Sequence, residues 1–206
     1  KEKFGIDLLP VMNDFTVESN PQHLFQTDKE KFTKIDILIN NAGTGLKAEV
    51  TDIQLQQWQN LMDVNLTSVF LCTKQAAKTM KNQPQGGHIV TISSIAGKFG
   101  APSYSAYCSS KHAVTGFMKA VKHEQRKNHI KCSTIHPARI DTEFFDDYKH
   151  KPGRGQMLSP KDLADFIIAT AQRCPVKKTT VIITNFCKRI YYMIRFGIKS
   201  QTEKKS

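Results

Sequence analysis

A chain of 206 residues that is 39% apolar can bury one substantial core, and a single α/β domain is the natural count. No run approaches the roughly eighteen uncharged apolar residues of a membrane span, and the opening KEKFGIDLL is too short an apolar stretch for a signal peptide. The net charge of +12 is spread along the chain without an aromatic-plus-basic recognition motif, which argues against nucleic acid and leaves anionic cofactor phosphates or a membrane surface as partners. The cysteines, Cys72, Cys108, Cys132, Cys174 and Cys187, are odd in number and scattered, with no CxxC pair and no zinc-type cluster. They read as reduced thiols in a cytoplasmic setting, with no metal expected.

Asp7 to Met12 carries the apolar run LLPVM, a strand that ends in a polar turn, and Pro10 argues for an early or edge position. Asp14 stands in that turn, where a turn-forming or capping role suits it. A polar helical segment is expected up to Lys34. Ile35 to Ile39 (IDILI) then forms a buried strand that runs into Asn40, Asn41, Ala42 and Gly43. Small residues at a strand's carboxyl end let a ligand approach the backbone, and they also make simple turns. Thr51 and Gln54 have capping-box spacing and open a long helix, Leu55 to Met80. Its apolar positions Leu55, Trp58, Met62, Leu66, Val69, Ala76 and Met80 recur every three or four residues, with Asn65 as a polar residue beside the stripe.

After the loop NQPQGG, His88 to Ile92 reads as a strand delivering Ser93 and Ser94 at its carboxyl end. The next helix, Ser103 to Lys127, bears Tyr107 and Lys111, with Ala113, Val114, Phe117, Met118 and Val121 as its apolar face. Four residues apart, Tyr107 and Lys111 share one face about one turn from each other. An ammonium held there favours phenolate over phenol, so Tyr107 is expected to exchange a proton nearer neutral pH than its usual value of about 10. Ser94 can donate to the same substrate oxygen, which makes the three an acid/base site. Tyr and Lys at this spacing also occur as ordinary surface packing.

Ile130 to Ile135 is another strand, ending at His136, Pro137, Ala138 and Arg139; packing or a turn hydrogen bond accounts for His136. Glu143 to Leu158 is a polar loop with little periodicity. Ser159, Pro160 and Asp162 start a helix to about Arg173, and Thr180 to Thr184 (TVIIT) reads as the final strand. Residues 186–206 form a basic amphipathic tail beyond a domain of residues 1–185. Weak membrane association through Phe186 to Lys199, or packing against the domain or a second subunit, would each use it.

The Ser-Ser-x-Ala-Gly of Ser93 to Gly97, the Tyr thirteen positions after Ser94, and the upstream Asn40 to Gly43 (NNAG) together resemble the classical short-chain dehydrogenase/reductase family. The resemblance implies a doubly wound, Rossmann-like parallel sheet with helices on both faces. It also implies an NAD(P)-dependent oxidoreductase that interconverts an alcohol and a carbonyl. By the same resemblance Tyr107 transfers the proton, Lys111 lowers its pKa and holds the nicotinamide ribose, Ser94 orients the carbonyl oxygen, and Asn65 supports a proton relay from a kinked helix. Asp14 would contact the adenine, and Asn40, Asn41, Ala42 and Gly43 would line the cofactor. Pro137 and Ala138 stand where the family has Pro-Gly, the backbone near Ile140 would bind the carboxamide, and Thr142 would face the phosphates; Glu143 to Leu158 would cover the substrate, and its short, polar character argues against a large, deep, sterol-shaped pocket.

The family's glycine-rich pyrophosphate turn has no match in these residues. The first β-α units are therefore expected to be missing, leaving the sheet without its middle and Ile37 to Ile39 as an unpaired apolar edge. The chain is accordingly expected to be a fragment of a longer enzyme, binding no dinucleotide tightly by itself. The alternative is a noncatalytic scaffold or regulatory protein that kept the site but lost the turn. The cofactor is NAD or NADP, the charge leaning to NADP. The family pairs the two long helices between subunits, which implies a homodimer or homotetramer.

Overall fold

The elements run β1 (Asp7–Met12), α1 (Ser19–Lys31), β2 (Ile37–Asn40), α2 (Leu55–Met62), α3 (Ser68–Met80), β3 (Gly87–Ile92), α4 (Ser105–Gln125), β4 (Ile130–Ile135), α5 (Pro160–Ala171), β5 (Lys178–Thr184) and β6 (Ile190–Gly197). This is a computed structural model that describes residues 7–12, 14–31, 34–140, 157–171, 178–184 and 190–197, with side chains described for 14–25, 34–140 and 157–171. One sheet holds the strands in the order β1-β6-β5-β2-β3-β4. β5, β2, β3 and β4 are mutually parallel, and β6 is antiparallel to both β5 and β1. β1 therefore points the same way as the parallel set. It is also an outermost strand, the place its Pro10 tolerates.

Period-two alternation assigns the faces. Leu38 and Ile89 point to one side, into a core shared with Leu24 and Phe25 of α1, Val69, Ala76 and Met80 of α3, and Val114, Met118 and Val121 of α4. Their neighbours Ile37, Ile39, Val90 and Ile92 point to the other side, against Leu163, Ile167 and Ala171 of α5. Helices on both faces of a parallel sheet are the doubly wound arrangement expected.

Two expectations give way. Ile37 to Ile39 is not an open edge: β5 pairs with it in parallel, from Ile37 opposite Val181 to Asn40 opposite Thr184. The β-branched run TVIIT satisfies the backbone groups that an apolar edge strand would leave bare. Residues 190–197, inside the stretch expected as a tail, form β6, which fills the place between β5 and β1 that was expected to be empty. The run IYYMIRFG is rich in aromatic and β-branched residues, which suits a strand. No helix among the described residues is long and apolar enough to cross a membrane.

The long helix expected from Leu55 to Met80 is divided. α2 and α3 are joined by a π-helical turn, Asp63–Thr67, with Asn65 at its middle. The cap is Gln54, whose backbone N–H donates to the Gln57 side chain at 3.0 Å, whereas the Thr51 hydroxyl turns to Asp52. Val69, Ala76 and Met80 of the predicted stripe are buried, but Leu55 at its start is 71% exposed.

Between α3 and β3 the chain turns at Gly86, whose φ of +65° an L side chain rarely adopts, and a Cβ there would stand 2.3 Å from the His129 carbonyl oxygen. Both partners are backbone, so neither can rotate away. Gly86→Ala is expected to lower the unfolding free energy by roughly 1–3 kcal/mol, read as a fall in the urea midpoint at unchanged slope.

Candidate active site

Because β1, β2, β3 and β4 point the same way, their carboxyl ends share one edge of the sheet, the usual place for ligands in open α/β folds. Asp14, the Asn40–Gly43 turn, Ser93 with Ser94, and His136 to Ile140 all lie at those ends. Backbone bonds tie the last two together: Ser93 N–H donates to Ile135 O at 2.8 Å and Ile95 N–H to Pro137 O at 3.0 Å. His136 Nδ1 adds a bond to Ser94 O at 3.1 Å, the turn hydrogen bond that its position suggested.

Helix α4 is braced against this edge by hydroxyls. Ser93 Oγ and Thr115 Oγ1 lie 3.0 Å apart, and both donate to the Lys111 carbonyl, at 3.2 and 2.7 Å. Gly97 makes room for that cluster, since a Cβ there would come within 2.7 Å of Lys111 O and Ser93 Oγ.

On the inner side of α4, Lys111 is only 5% exposed. Its Nζ makes one long bond, 3.4 Å to Ile92 O, and lies 5.8 Å from the centroid of the Tyr107 ring. Burial brings the Lys111 pKa down to about 8. Tyr107 is half-buried. Its pKa is raised, first by burial, while a hydrogen bond with the Ser94 hydroxyl pulls it part of the way back. The net shift of Tyr107 is thus opposite to the lowering expected from Lys111, because burial is the largest influence on the phenol.

Asn65, fully buried in the π turn, is bonded on both sides of its amide. Oδ1 accepts from Thr44 N–H at 2.8 Å, and Nδ2 donates to Thr44 O at 2.9 Å and to Ser110 Oγ at 3.0 Å. The turn beside it passes close: a Cβ on Gly43 would lie 3.2 Å from Lys111 Nζ and 3.4 Å from Asn65 Oδ1. Asn65, Ser94, Tyr107 and Lys111 thus converge with Gly43 on one corner of the sheet edge.

The other predicted residues are placed differently. Asn40 is 1% exposed, and its Nδ2 donates to Thr73 and Thr91, each at 3.1 Å, so its side chain braces α3 and β3 against β2. Asn41 is half-buried and Ala42 buried. Asp14 is exposed, and its Oδ1 accepts from Thr16 N–H at 3.0 Å and Thr16 Oγ1 at 2.7 Å, a local turn of the kind its sequence context suggested. Pro137 is buried, Ala138 exposed, and Ile140 forms a β-bridge with Leu158. Thr142 and residues 143–156 of the expected substrate loop lie outside the described residues. Ser110, Thr115 and Thr44 take part in the site without belonging to any recognised pattern. Ser110 and Thr115 do carry a signal, for they occupy the buried face of α4 beside Val114 and Met118, where a hydroxyl must find a partner.

The family model for short chain dehydrogenases matches residues 1–153. The chain belongs to that family. It is 43% identical over 124 residues to a 3beta-hydroxysteroid dehydrogenase of Mediterraneibacter gnavus, covering 60% of this chain and 44% of that protein. It is 36% identical over 148 residues to a 3-oxoacyl-[acyl-carrier-protein] reductase of Synechocystis sp., covering 72% of this chain and 60% of the relative. The chain therefore spans about half the length of these curated relatives. Among solved structures, ElxO with NADP bound superimposes with a TM-score of 0.73 at 28% identity, over 85% of this chain and 75% of ElxO.

Burial of Lys111 has a consequence for stability. Between about 8 and its ordinary 10.5 the unfolded chain still holds the proton that the folded protein has released, so stability rises with pH across that window, and the penalty is full below it. Lys111→Met removes the buried ammonium. The variant is expected to be more stable than wild type near neutral pH, by on the order of 1–3 kcal/mol, with the difference closing towards about pH 10.5; urea titrations at the two ends of the window check it.

Proposed function

We propose that this protein is an NAD(P)-dependent oxidoreductase that interconverts an alcohol and a carbonyl, with Tyr107 as the proton-transferring group. The observation that carries the reading is the pairing of Tyr107, hydrogen-bonded to Ser94, with a buried Lys111 over the same ring at the carboxyl edge of the sheet. The nicotinamide end of a dinucleotide fits these residues. Lys111 has three N–H donors and one long bond, and the missing Cβ of Gly43 leaves the space in front of it open. The pyrophosphate end has no glycine-rich turn in this sequence to receive it.

When bound, the nicotinamide supplies or accepts the hydride. In the reducing direction Ser94 donates a hydrogen bond to the carbonyl oxygen and holds it beside Tyr107. Charge developing on that oxygen would draw the proton from Tyr107. The ammonium of Lys111 stabilises the phenolate left behind, an interaction that grows as charge develops on the ring. Oxidation runs the same steps backwards. Support for NADP comes from the net charge of +12 and from relatives such as the NADP-dependent (R)-specific alcohol dehydrogenase of Lentilactobacillus kefiri, 33% identical over 76% of this chain and 62% of that enzyme. The substrate reading stays at the class of small alcohols and carbonyls, acyl thioesters and lipid-like ketones. Free, buried Cys72, Cys108 and Cys132 support a cytoplasmic setting.

The reading includes self-association through α3 and α4. Phe70, 43% exposed, meets Phe117 edge-on at 6.1 Å, and Lys74 Nζ stands 5.6 Å over the Phe70 ring beside a groove of about 320 Å³. Sedimentation at micromolar concentration is expected to show a dimer or tetramer, and Phe70→Lys to shift it towards monomer; a wild-type protein that sediments only as monomer refutes the assembly.

The chemistry is tested in the complete gene product with NADPH and a panel of ketones and 3-oxoacyl thioesters. Tyr107→Phe removes the proton and keeps the ring, so turnover is expected to fall by roughly 10²- to 10⁴-fold while dinucleotide binding survives. Equal turnover by Tyr107→Phe and wild type would refute the assignment.

A further inference from the structure

Ser110 is completely buried on α4, immediately before Lys111 and three residues after Tyr107. Its one hydroxyl hydrogen is committed to the Tyr107 carbonyl at 2.8 Å, so towards Asn65 it can only accept. Asn65 meets it with Nδ2 at 3.0 Å. That choice fixes the orientation of the whole amide: with Nδ2 turned to Ser110, Oδ1 faces the Thr44 N–H, which it accepts at 2.8 Å. A one-way chain of hydrogen bonds thus runs from the Thr44 amide through Asn65 and Ser110 to the backbone of α4. It joins the segment just after Gly43, the π turn, and the helix that carries Tyr107 and Lys111.

Each member is held by few alternatives. Both Nδ2 hydrogens of Asn65 are used, one on Thr44 O and one on Ser110. Removing the Ser110 hydroxyl leaves a buried N–H bare, and the amide can satisfy it only by turning away from Thr44. Thr44 follows Gly43, where a Cβ would stand 3.2 Å from Lys111 Nζ, so a loosened Thr44 changes the spacing between the Asn40–Gly43 turn and the lysine.

We propose that Ser110 is a positioning residue for the reaction: by locking the Asn65 amide, it sets the spacing between the Asn40–Gly43 turn and the Tyr107/Lys111 helix. The proposal rests on the oxidoreductase reading above. Ser110 touches neither substrate nor the reacting atoms; it acts through Asn65.

The test uses the complete gene product and a double-mutant cycle of Ser110→Ala and Asn65→Ala. Ser110→Ala is expected to lower kcat by about 10- to 100-fold with the KM for NADPH within about threefold, the signature of misplacement rather than lost binding. In the Asn65→Ala background the same change is expected to cost less than about twofold, because the lock is already broken. Hydrogen exchange at the Thr44 amide is expected to speed up in Ser110→Ala. Wild-type kcat in Ser110→Ala, an equal loss in both backgrounds, or unchanged Thr44 exchange would each overturn the proposal. Should Ser110→Ala fail to fold, Ser110→Cys, close in shape but a poor acceptor, is read by the same measures and the same outcomes. A wild-type protein with no turnover of any alcohol or carbonyl would overturn the functional reading, while Thr44 exchange still decides whether Ser110 locks Asn65.

Discussion

A lysine ammonium sealed into the end of a parallel sheet is the costly feature on which the site depends. Lys111 is 5% exposed and has one long hydrogen bond, so burial disfavours its charge and lowers its pKa to about 8. A group in that condition gains from any negative charge or acceptor that arrives beside it. The Tyr107 ring lies 5.8 Å away and is where negative charge would form on loss of the phenolic proton. The arrangement stores an electrostatic demand in the resting protein that proton transfer would answer, at the expense of stability.

The backbone around this lysine is held by hydroxyl groups rather than by apolar packing alone. Ser93 and Thr115 bond its carbonyl from one side, and Ser110 bonds the carbonyl of Tyr107 one turn earlier. The Ser93 bond ties α4 to the end of β3, while the Thr115 and Ser110 bonds lie within the helix. A Cβ on Gly97 would strike Lys111 O and Ser93 Oγ, and one on Gly43 would come to 3.2 Å from Lys111 Nζ. Asn65 adds the third anchor, and the π turn that holds it widens the helix where a polar side chain must face inward.

The sheet shows how pairing demand decides topology. β2 is four fully buried residues, and its two edges are taken by β3 and β5. β6 then links β5 to β1, which keeps the carboxyl ends of β1 and β2 on the same edge although two strands separate them. That shared edge gathers residues more than a hundred positions apart in sequence.

Local periodicity and chemistry were enough to place β2, β3, β4 and the helices α4 and α5, because a period of two or 3.6 is a property of adjacent residues. The grouping of Ser94, Tyr107 and Lys111 was also legible, through their spacing, and Asn65 joined them only through the family resemblance. The tertiary structure alone decided the rest. The pairing partner of β2 was not legible, because a strand's neighbour is chosen by whichever apolar run can reach its free edge. The sense of the Tyr107 shift was not legible either: spacing places Lys111 one turn away, but burial and the direction of Nζ determine whether desolvation or charge prevails. The partners of the Asn40 side chain were not legible either, because a single extended residue can point to either face, and here its Nδ2 bonds Thr73 and Thr91. Hydrogen bonds between distant side chains leave no mark on local spacing, so the partners of Asn65 became visible only once α4 and the segment after Gly43 were brought together in space.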